Sequence, residues 1–172
     1  MSLHVLKLVS LNLGVRYRST NLINIGSGKT AAFLIPTLSK LMGKAKKLCA
    51  PRPNPATMAQ GERVRAEPLM LIVCPNRELA TQIFDEARRF CYRTMFRPCV
   101  IYGGGPRSDQ IDELRKGCDV LIGTPGRLCD FIDRPDVLSL HRLKYMIIDE
   151  ADEMLNSDWE QELKKIMSGG GM

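Results

Sequence analysis

Short apolar runs alternate with amphipathic segments over most of the chain. Four such runs, each typical of a strand covered on both faces, occupy residues 69–74, 99–102, 120–122 and 145–148. Between the first two, residues 77–93 predict a helix whose buried stripe contains Leu79, Ile83, Ala87 and Phe90. This recurrence of strand, loop and helix predicts an α/β protein.

Further helices complete the pattern. Ile111 and Leu114 mark a short helix, and Thr124 with Pro125 predicts the N-cap and first residue of another. A last helix is predicted from Ser157, which has capping-box spacing to an acidic residue three positions later. Nearer the N-terminus, a short β run at 22–25 precedes a helical pattern at 31–41. Five strands alternating with helices predict a parallel, doubly wound sheet with helices on both faces.

Two segments depart from this pattern. Residues 1–20 form an atypical N-terminal segment, in which Leu11, Leu13 and Val15 alternate with polar or small residues, as in a strand or an irregular segment. We expect a non-native start there, and the lack of acidic residues leaves a mitochondrial presequence as an alternative. Residues 44–67 predict a surface insertion loop, because three of the residues at 51–55 are prolines.

Length and cysteine content narrow the class of protein. The 172 residues predict one domain, large enough to bury its own core. No apolar run reaches the ~18 residues of a membrane span, so we expect no membrane association. Six cysteines without a C-x-x-C pair predict an intracellular protein with reduced, mostly buried thiols. We expect it in the cytoplasm or nucleus rather than in mitochondria, and as a monomer.

The net charge of +6 is unevenly distributed. Residues 1–61 carry nine Lys and Arg residues and no acidic residue, and the rest of the chain carries 16 basic against 19 acidic residues. The basic front part would suit phosphate groups, and a solvated surface explains it equally well. Charge alone therefore does not predict nucleic-acid binding.

Gly26-Ser27-Gly28-Lys29-Thr30 lies between a predicted strand and a predicted helix, which is the setting of a phosphate-binding P-loop. Glycines let backbone N–H groups approach phosphate oxygens, and a helix N-terminus adds the positive end of a dipole. We predict that Gly26, Ser27 and Gly28 bind the phosphates of a nucleotide. Lys29 would reach the β- and γ-phosphates as a catalytic residue, and the Thr30 hydroxyl would bind Mg²⁺.

Two adjacent carboxylates, Asp149 and Glu150, directly follow the apolar run at 145–148. In open α/β sheets, ligands collect at the carboxyl ends of the strands. Asp149 is predicted to hold the same Mg²⁺ as Thr30, and Glu150 to orient and deprotonate an attacking water. With the P-loop, this pair predicts a nucleoside triphosphatase. A small-molecule kinase would explain Lys29 and Thr30 but leaves the remaining motifs unexplained.

Five sequence elements lie in a recognisable order between residues 22 and 168. They are residues 26–33, residues 75–80, the doublet Gly103-Gly104, residues 124–127 and Asp149-Glu150-Ala151-Asp152. In these elements the chain resembles the DEAD-box RNA helicases, in which they are motif I, motif Ia, GG, motif Ib and motif II. The resemblance implies an ATP-dependent RNA helicase with ATP and Mg²⁺ as cofactors. It also implies an incomplete RecA-like P-loop NTPase domain over residues 21–172, the first of the two in the family.

The resemblance also implies which residues contact RNA. Motif Ia, GG and motif Ib contact the sugar–phosphate backbone in this family, which assigns Arg77, Gly104, Thr124 and Arg127 to RNA, single-stranded or duplex. Arginine forks and backbone N–H groups suit phosphate oxygens, and such contacts carry little sequence information. In the family, Asp152 bridges toward motif III and does not touch the nucleotide.

The chain departs from the family at several positions. Ile23 stands where the P-loop pattern has a glycine, and Asn76 stands where motif Ia has a threonine. Residues 1–20 contain no glutamine for a Q motif, and the chain has neither a Ser-Ala-Thr motif III nor a second domain. We therefore expect weak preference for adenine and negligible hydrolysis by this chain alone. The alternative function is a truncated, non-catalytic product that binds nucleotide or RNA without helicase activity.

Overall fold

The strands of the protein form one sheet at its centre. A computed structural model describes residues 7–10, 29–43, 52–53, 64–155 and 159–169. The strands are β1 (Lys7–Ser10), β2 (Met70–Val73), β3 (Pro98–Ile101), β4 (Val120–Gly123) and β5 (Tyr145–Ile148). They lie in the order β1-β5-β2-β4-β3. Strands β2 to β5 are parallel to one another, and β1 pairs antiparallel with β5.

Six helices are present in the described residues. They are α1 (Lys29–Met42), α2 (Arg77–Cys91), α3 (Arg107–Arg115), α4 (Pro125–Ile132), α5 (Ala151–Leu155) and α6 (Glu160–Met167). Each of the parallel strands β2 to β5 is followed by a helix, the connection that parallel strands require. No helix in this part of the chain is both long and apolar enough to cross a membrane.

The sheet separates two hydrophobic cores, and the parallel strands contribute to both by alternation. In β2, Leu71 and Val73 face the core formed with α3, α4, α5 and α6, whereas Met70 and Ile72 face the core formed with α1 and α2. Successive side chains of a strand point to opposite faces, so a strand covered on both faces must be apolar throughout. The predicted α/β fold with helices on both faces is confirmed.

The buried stripe of α2 differs from the prediction at both ends. Ala80, Ile83, Ala87 and Cys91 are buried, whereas Leu79 is half-buried and Phe90 is 37% exposed. A helix repeats every 3.6 residues, so four residues beyond Ala87 the stripe reaches Cys91, and Phe90 falls on its flank. The chain then turns at Arg93, whose φ of 61° ends the helical run.

The predicted surface loop at 44–67 does not extend to its predicted end. Val64, Ala66 and Glu67 are buried, and Ala66 forms a parallel bridge with Leu138. The prolines at 51–55 predict a loop but do not reach the end of this segment, where the pairing with Leu138 satisfies the backbone and allows burial. The remainder of the loop, apart from residues 52–53, lies outside the described residues, as do the predicted strand at 22–25 and the alternating segment at 11–15.

The cysteines fit the predicted reduced state. Five of them are free thiols in the described residues, and four of these are buried: Cys74, Cys91, Cys99 and Cys118. Their burial in apolar surroundings is common for free cysteine, which packs as a small hydrophobic residue.

Candidate functional site

The four parallel strands end level with one another. Val73 lies opposite both Gly123 and Ile148, and Gly123 lies opposite Ile101. The residues that follow these strands therefore share one edge of the sheet. Neighbouring strands are ~4.8 Å apart, so the outermost ends, at β5 and β3, are about 14 Å apart. The structure thus brings the four predicted strand-end motifs together along one edge.

Asp149 and Glu150 form an acidic turn at the β5 end of this edge. Asp149 is 8% exposed. Its backbone N–H donates to the Val73 carbonyl at 2.9 Å, and its Oδ1 accepts the Glu150 N–H at 3.0 Å. Glu150 has a φ of 50°, and its carbonyl accepts the N–H groups of Glu153 and Met154 to begin α5.

The conformation of Glu150 is unusual for a residue with a side chain. A non-glycine residue in the left-handed region costs on the order of 1–3 kcal/mol and persists only where its surroundings enforce it. Here the Asp149 carboxylate and the start of α5 enforce it. The acidic turn is therefore a strained connection held by hydrogen bonds.

Cys74 adjoins the acidic turn and was not predicted from the sequence. It is buried directly after β2, and its N–H donates to the Gly123 carbonyl at 3.0 Å. Burial, and then the negative charges of Asp149 and Glu150, raise the pKa of the Cys74 thiol well above its usual value. The thiol is therefore neutral and adds no third charge beside the two carboxylates.

Lys29 and Thr30 lie in the first turn of α1, and Thr30 is 8% exposed. Gly26, Ser27 and Gly28 lie outside the described residues, so their phosphate contacts stay predictions. The N–H groups of a first helical turn lack partners within the helix and suit phosphate oxygens.

The oxygen donors of the two predicted ligands suit Mg²⁺. A carboxylate at Asp149 and a hydroxyl at Thr30 are hard oxygen ligands, which Mg²⁺ prefers. The described residues contain no cluster of three or more His, Cys, Asp or Glu residues that could hold a metal by itself. Mg²⁺ is commonly held by one or two carboxylates together with substrate phosphates and waters, which agrees with this sparse protein ligand set.

A glycine loop, residues 102–105, follows β3 at the opposite end of the edge. Gly104 has a φ of +81°, which favours glycine. A Cβ on Gly105 would lie 2.8 Å from Gln110 Nε2 and 3.0 Å from Tyr102 Cε2. The backbone conformation therefore favours glycine at 104, and the close approach of two side chains favours it at 105.

Three of the predicted RNA contacts surround this loop, and the fourth, Gly104, belongs to it. Thr124 Oγ1 accepts the Gly103 N–H at 3.3 Å, and Arg127 Nη2 donates to the Gly105 carbonyl at 3.1 Å. The Arg77 guanidinium lies 4.7 Å from the centre of the Tyr102 ring. Thr124 holds the N-cap position of α4 as predicted, but its side chain bonds the glycine loop rather than α4.

Arg127 differs most from a simple exposed phosphate contact. It is 7% exposed, its Nε lies 3.7 Å from Asp130, and its guanidinium packs 5.5 Å from the Phe131 ring centre. Its Nη1 is buried and, within the described residues, has no hydrogen-bond partner. An unpaired buried donor is costly, so a ligand oxygen or a water would stabilise this position.

Asn76, which departs from the family motif, caps helix α2. Its side-chain oxygen accepts the Leu79 N–H at 2.9 Å, and its backbone is extended. Asparagine is among the best N-cap residues, so the substitution keeps Arg77 at the first position of α2. The departure therefore preserves the local structure of the motif.

The chain has a parallel sheet flanked by helices, and an acidic turn and a loop lined by arginine and glycine lie along the carboxyl edge of that sheet. These features define a RecA-like domain. The model of the DEAD/DEAH box helicase family matches residues 22–170. The chain belongs to the DEAD/DEAH box helicase family.

A solved structure supports this assignment. The crystal structure of the yeast DEAD-box splicing factor Prp28 is similar to this chain with a TM-score of 0.68 and 29% sequence identity. The match covers 86% of this chain and 31% of the Prp28 chain. This chain thus corresponds to about a third of that protein, and the predicted resemblance to a first helicase domain is confirmed.

Proposed function

We propose that this chain is the part of an ATP-dependent RNA helicase that binds Mg²⁺-ATP and the backbone of RNA. The observation that carries the proposal is the common edge of the level strands β2 to β5. The acidic turn and the glycine loop lie about 14 Å apart on it, separated by the ends of β2 and β4. A nucleotide and an RNA strand would therefore bind side by side, and each would alter the surroundings of the other.

On the nucleotide side, we assign the triphosphate of ATP to the first turn of α1. Gly26, Ser27 and Gly28 would donate backbone N–H groups, and Lys29 would bind the terminal phosphates. Bound Mg²⁺ would neutralise phosphate charge.

Two carboxylates complete the nucleotide side. Thr30 and Asp149 would supply the protein ligands to Mg²⁺, and Glu150, in the acidic turn, would accept a proton from the attacking water.

On the RNA side, we assign phosphates to the glycine loop and its surroundings. Gly104 would offer its backbone N–H, and Thr124, Arg77 and Arg127 would position or bind phosphate oxygens. The buried Nη1 of Arg127, which has no hydrogen-bond partner among the described residues, supports the binding of an anionic ligand here. Contacts of this kind involve no base edges, so binding would be independent of RNA sequence.

The nucleotide assignment is tested by the Mg²⁺ dependence of binding. The affinity of a fluorescent ADP would be measured by titration with and without Mg²⁺, for the wild type and for Asp149→Asn. Asp149→Asn removes the charged ligand. The increase in ADP affinity on adding Mg²⁺ should therefore be at least about tenfold smaller in this variant than in the wild type. Glu153→Gln, an exposed carboxylate in α5, is the matched control and should bind as the wild type does. Equal Mg²⁺ dependence in the Asp149 variant would contradict the assignment.

The RNA assignment is tested with short labelled oligonucleotides. Fluorescence anisotropy should show binding that weakens as salt rises, with poly-U and mixed-sequence RNA of one length within about threefold of each other. Absence of RNA binding at low salt, or a strong preference for one sequence, would overturn this half of the proposal.

We also propose that these residues bind their ligands with negligible turnover on their own. The resemblance implies arginine fingers in a second domain, and such groups are worth about 10³–10⁵ in rate. The limited coverage of the Prp28 chain, 31%, favours this view. ATP hydrolysis by the 172-residue chain should stay near background with and without RNA. RNA-stimulated turnover well above background would refute it.

A related expectation concerns the base of the nucleotide. Fluorescent ADP and GDP should bind these 172 residues with affinities within about threefold of each other, because residues 1–20 contain no glutamine that could read adenine. A strong preference for ADP would contradict this expectation.

A further inference from the structure

Gln110, in the first turn of α3, makes two hydrogen bonds to one backbone residue. Its Oε1 accepts the Tyr102 N–H at 3.0 Å, and its Nε2 donates to the Tyr102 carbonyl at 3.2 Å. Gln110 is 8% exposed. Its amide therefore satisfies both polar groups of the first residue of the glycine loop within the protein interior.

The position of β3 in the sheet explains why this amide is needed. Among the described strands β3 lies at the edge of the sheet, and the Ile101 carbonyl is already paired with the Thr124 N–H on the β4 side. Polar groups of consecutive strand residues point to opposite sides, so those of Tyr102 face the open edge. Gln110 takes the place of a neighbouring strand there.

Gln110 also determines the path of the loop beyond Tyr102. Because a Cβ on Gly105 would lie 2.8 Å from Gln110 Nε2, the loop folds closely around the amide. On its other side the loop is held by Thr124 and Arg127. The loop is therefore held between one side chain of α3 and two from the start of α4.

We propose that Gln110 is a positioning residue that holds the glycine loop in the shape needed to bind the RNA backbone. The inference rests on the proposed RNA function of this loop. Hydrogen bonds to phosphate oxygens weaken steeply with distance and angle, so a small shift of the Gly104 N–H reduces RNA affinity. Gln110 itself touches no RNA and acts only through Tyr102 and Gly105.

The substitution Gln110→Glu tests this role through pH. At about pH 8 the ionised carboxyl still accepts the Tyr102 N–H but repels the Tyr102 carbonyl, which has lost its donor. A protonated carboxyl can accept and donate at once and so restores both hydrogen bonds. Burial raises the pKa of a carboxyl above the ~4.3 of free glutamic acid, which brings protonation within reach at about pH 5.5.

The measurement is the dissociation constant of the 172-residue chain for labelled poly-U RNA, taken relative to the wild type at the same pH. Gln110→Glu should bind about tenfold more weakly at about pH 8 and within about threefold of the wild type at about pH 5.5. Ser108→Ala, an exposed and uncharged change on the same helix, should match the wild type at both pH values. Fluorescent ADP affinity should be unchanged in all variants.

A second variant guards against misfolding. Gln110→Met keeps the volume but removes both hydrogen bonds, and should lose RNA affinity about equally at both pH values while retaining ADP affinity. Three results would overturn the proposal. Gln110→Glu could bind RNA like the wild type at about pH 8, or it could show the same defect at both pH values. Both variants could also lose ADP and RNA binding in parallel. If the wild-type protein binds no RNA, both the proposed function and the role of Gln110 are wrong. If the wild type binds RNA and the Gln110 variants bind it equally well, only the role of Gln110 is wrong.

Discussion

Gly123, the last residue of β4, is expected to tolerate no side chain. A Cβ there would lie 2.8 Å from Ile101 Cγ1, 3.0 Å from Leu128 Cγ and 3.2 Å from the Ile101 carbonyl oxygen. Ile101 and Leu128 are fully buried, and the carbonyl already accepts the Thr124 N–H. Neither the side chains nor the strand can move away without loss of packing or of this hydrogen bond.

The magnitude follows from the cost of overfilling a packed core. Adding a methyl group to such a site costs about 1–3 kcal/mol, and the contact with backbone places Gly123→Ala near ~2 kcal/mol. With a urea dependence of roughly 2 kcal/mol per molar, the midpoint of unfolding should fall by about 1 M.

Gly126→Ala is the matched control for this prediction. The added methyl group would meet only the Trp159 ring, at 3.8 Å, which is an ordinary contact. Gly126 lies within α4, where alanine is favoured over glycine by up to about 1 kcal/mol. The same chemical change three positions along the chain should therefore leave the free energy of unfolding unchanged or raise it.

Urea unfolding followed by far-ultraviolet circular dichroism measures both variants against the wild type. The expected result is a lower midpoint for Gly123→Ala and an equal or higher one for Gly126→Ala. If Gly123→Ala unfolds within about 0.2 M of the wild type, the close approach of β3, β4 and α4 at this point is wrong.

Three further outcomes are expected. Arg127→Ala should weaken RNA binding about tenfold and lower the salt slope by about 0.7, the value for one single-strand phosphate, and an unchanged slope would exclude a phosphate contact. The Lys116 ammonium chiefly lowers the pKa of Glu113, so the stability that Glu113 adds is present at neutral pH and is lost as pH falls below its unfolded value. The deficit of Glu113→Gln in urea midpoint should therefore be small at neutral pH and shrink as the pH falls into the acidic range, and a deficit that grows in acid would contradict the sign. Burial, and then the charge of Asp119, raise the pKa of Cys91 to about 11. Iodoacetamide at about pH 9 should thus leave Cys91 unmodified in the folded protein and label it in urea, as mass spectrometry would report. Rapid labelling of the folded protein would be the contrary result.

The sequence by itself determined the architecture and the edge at which the site lies. The continuous apolar run of β2 required both of its faces to be covered, and Leu71 and Met70 indeed face opposite cores. Parallel strands place their carboxyl ends together, so the sequence predicts that Asp149, directly after an apolar run, lies at a ligand-binding edge. These properties depend on the local periodicity of apolar residues and on how parallel strands are connected, and both can be predicted from a single sequence.

Only the tertiary structure decided which groups meet along that edge. The burial of Arg127 against Gly105, the left-handed turn at Glu150 and the two hydrogen bonds of Gln110 depend on how distant segments approach one another. The burial of Ala66 beside Leu138 is of the same kind. Such contacts follow from strand register and loop geometry. A shift of one residue in register, or of about 1 Å in the position of a loop, changes the partner of a hydrogen bond. A pattern along the sequence predicts which face a side chain occupies but not the atom it will contact.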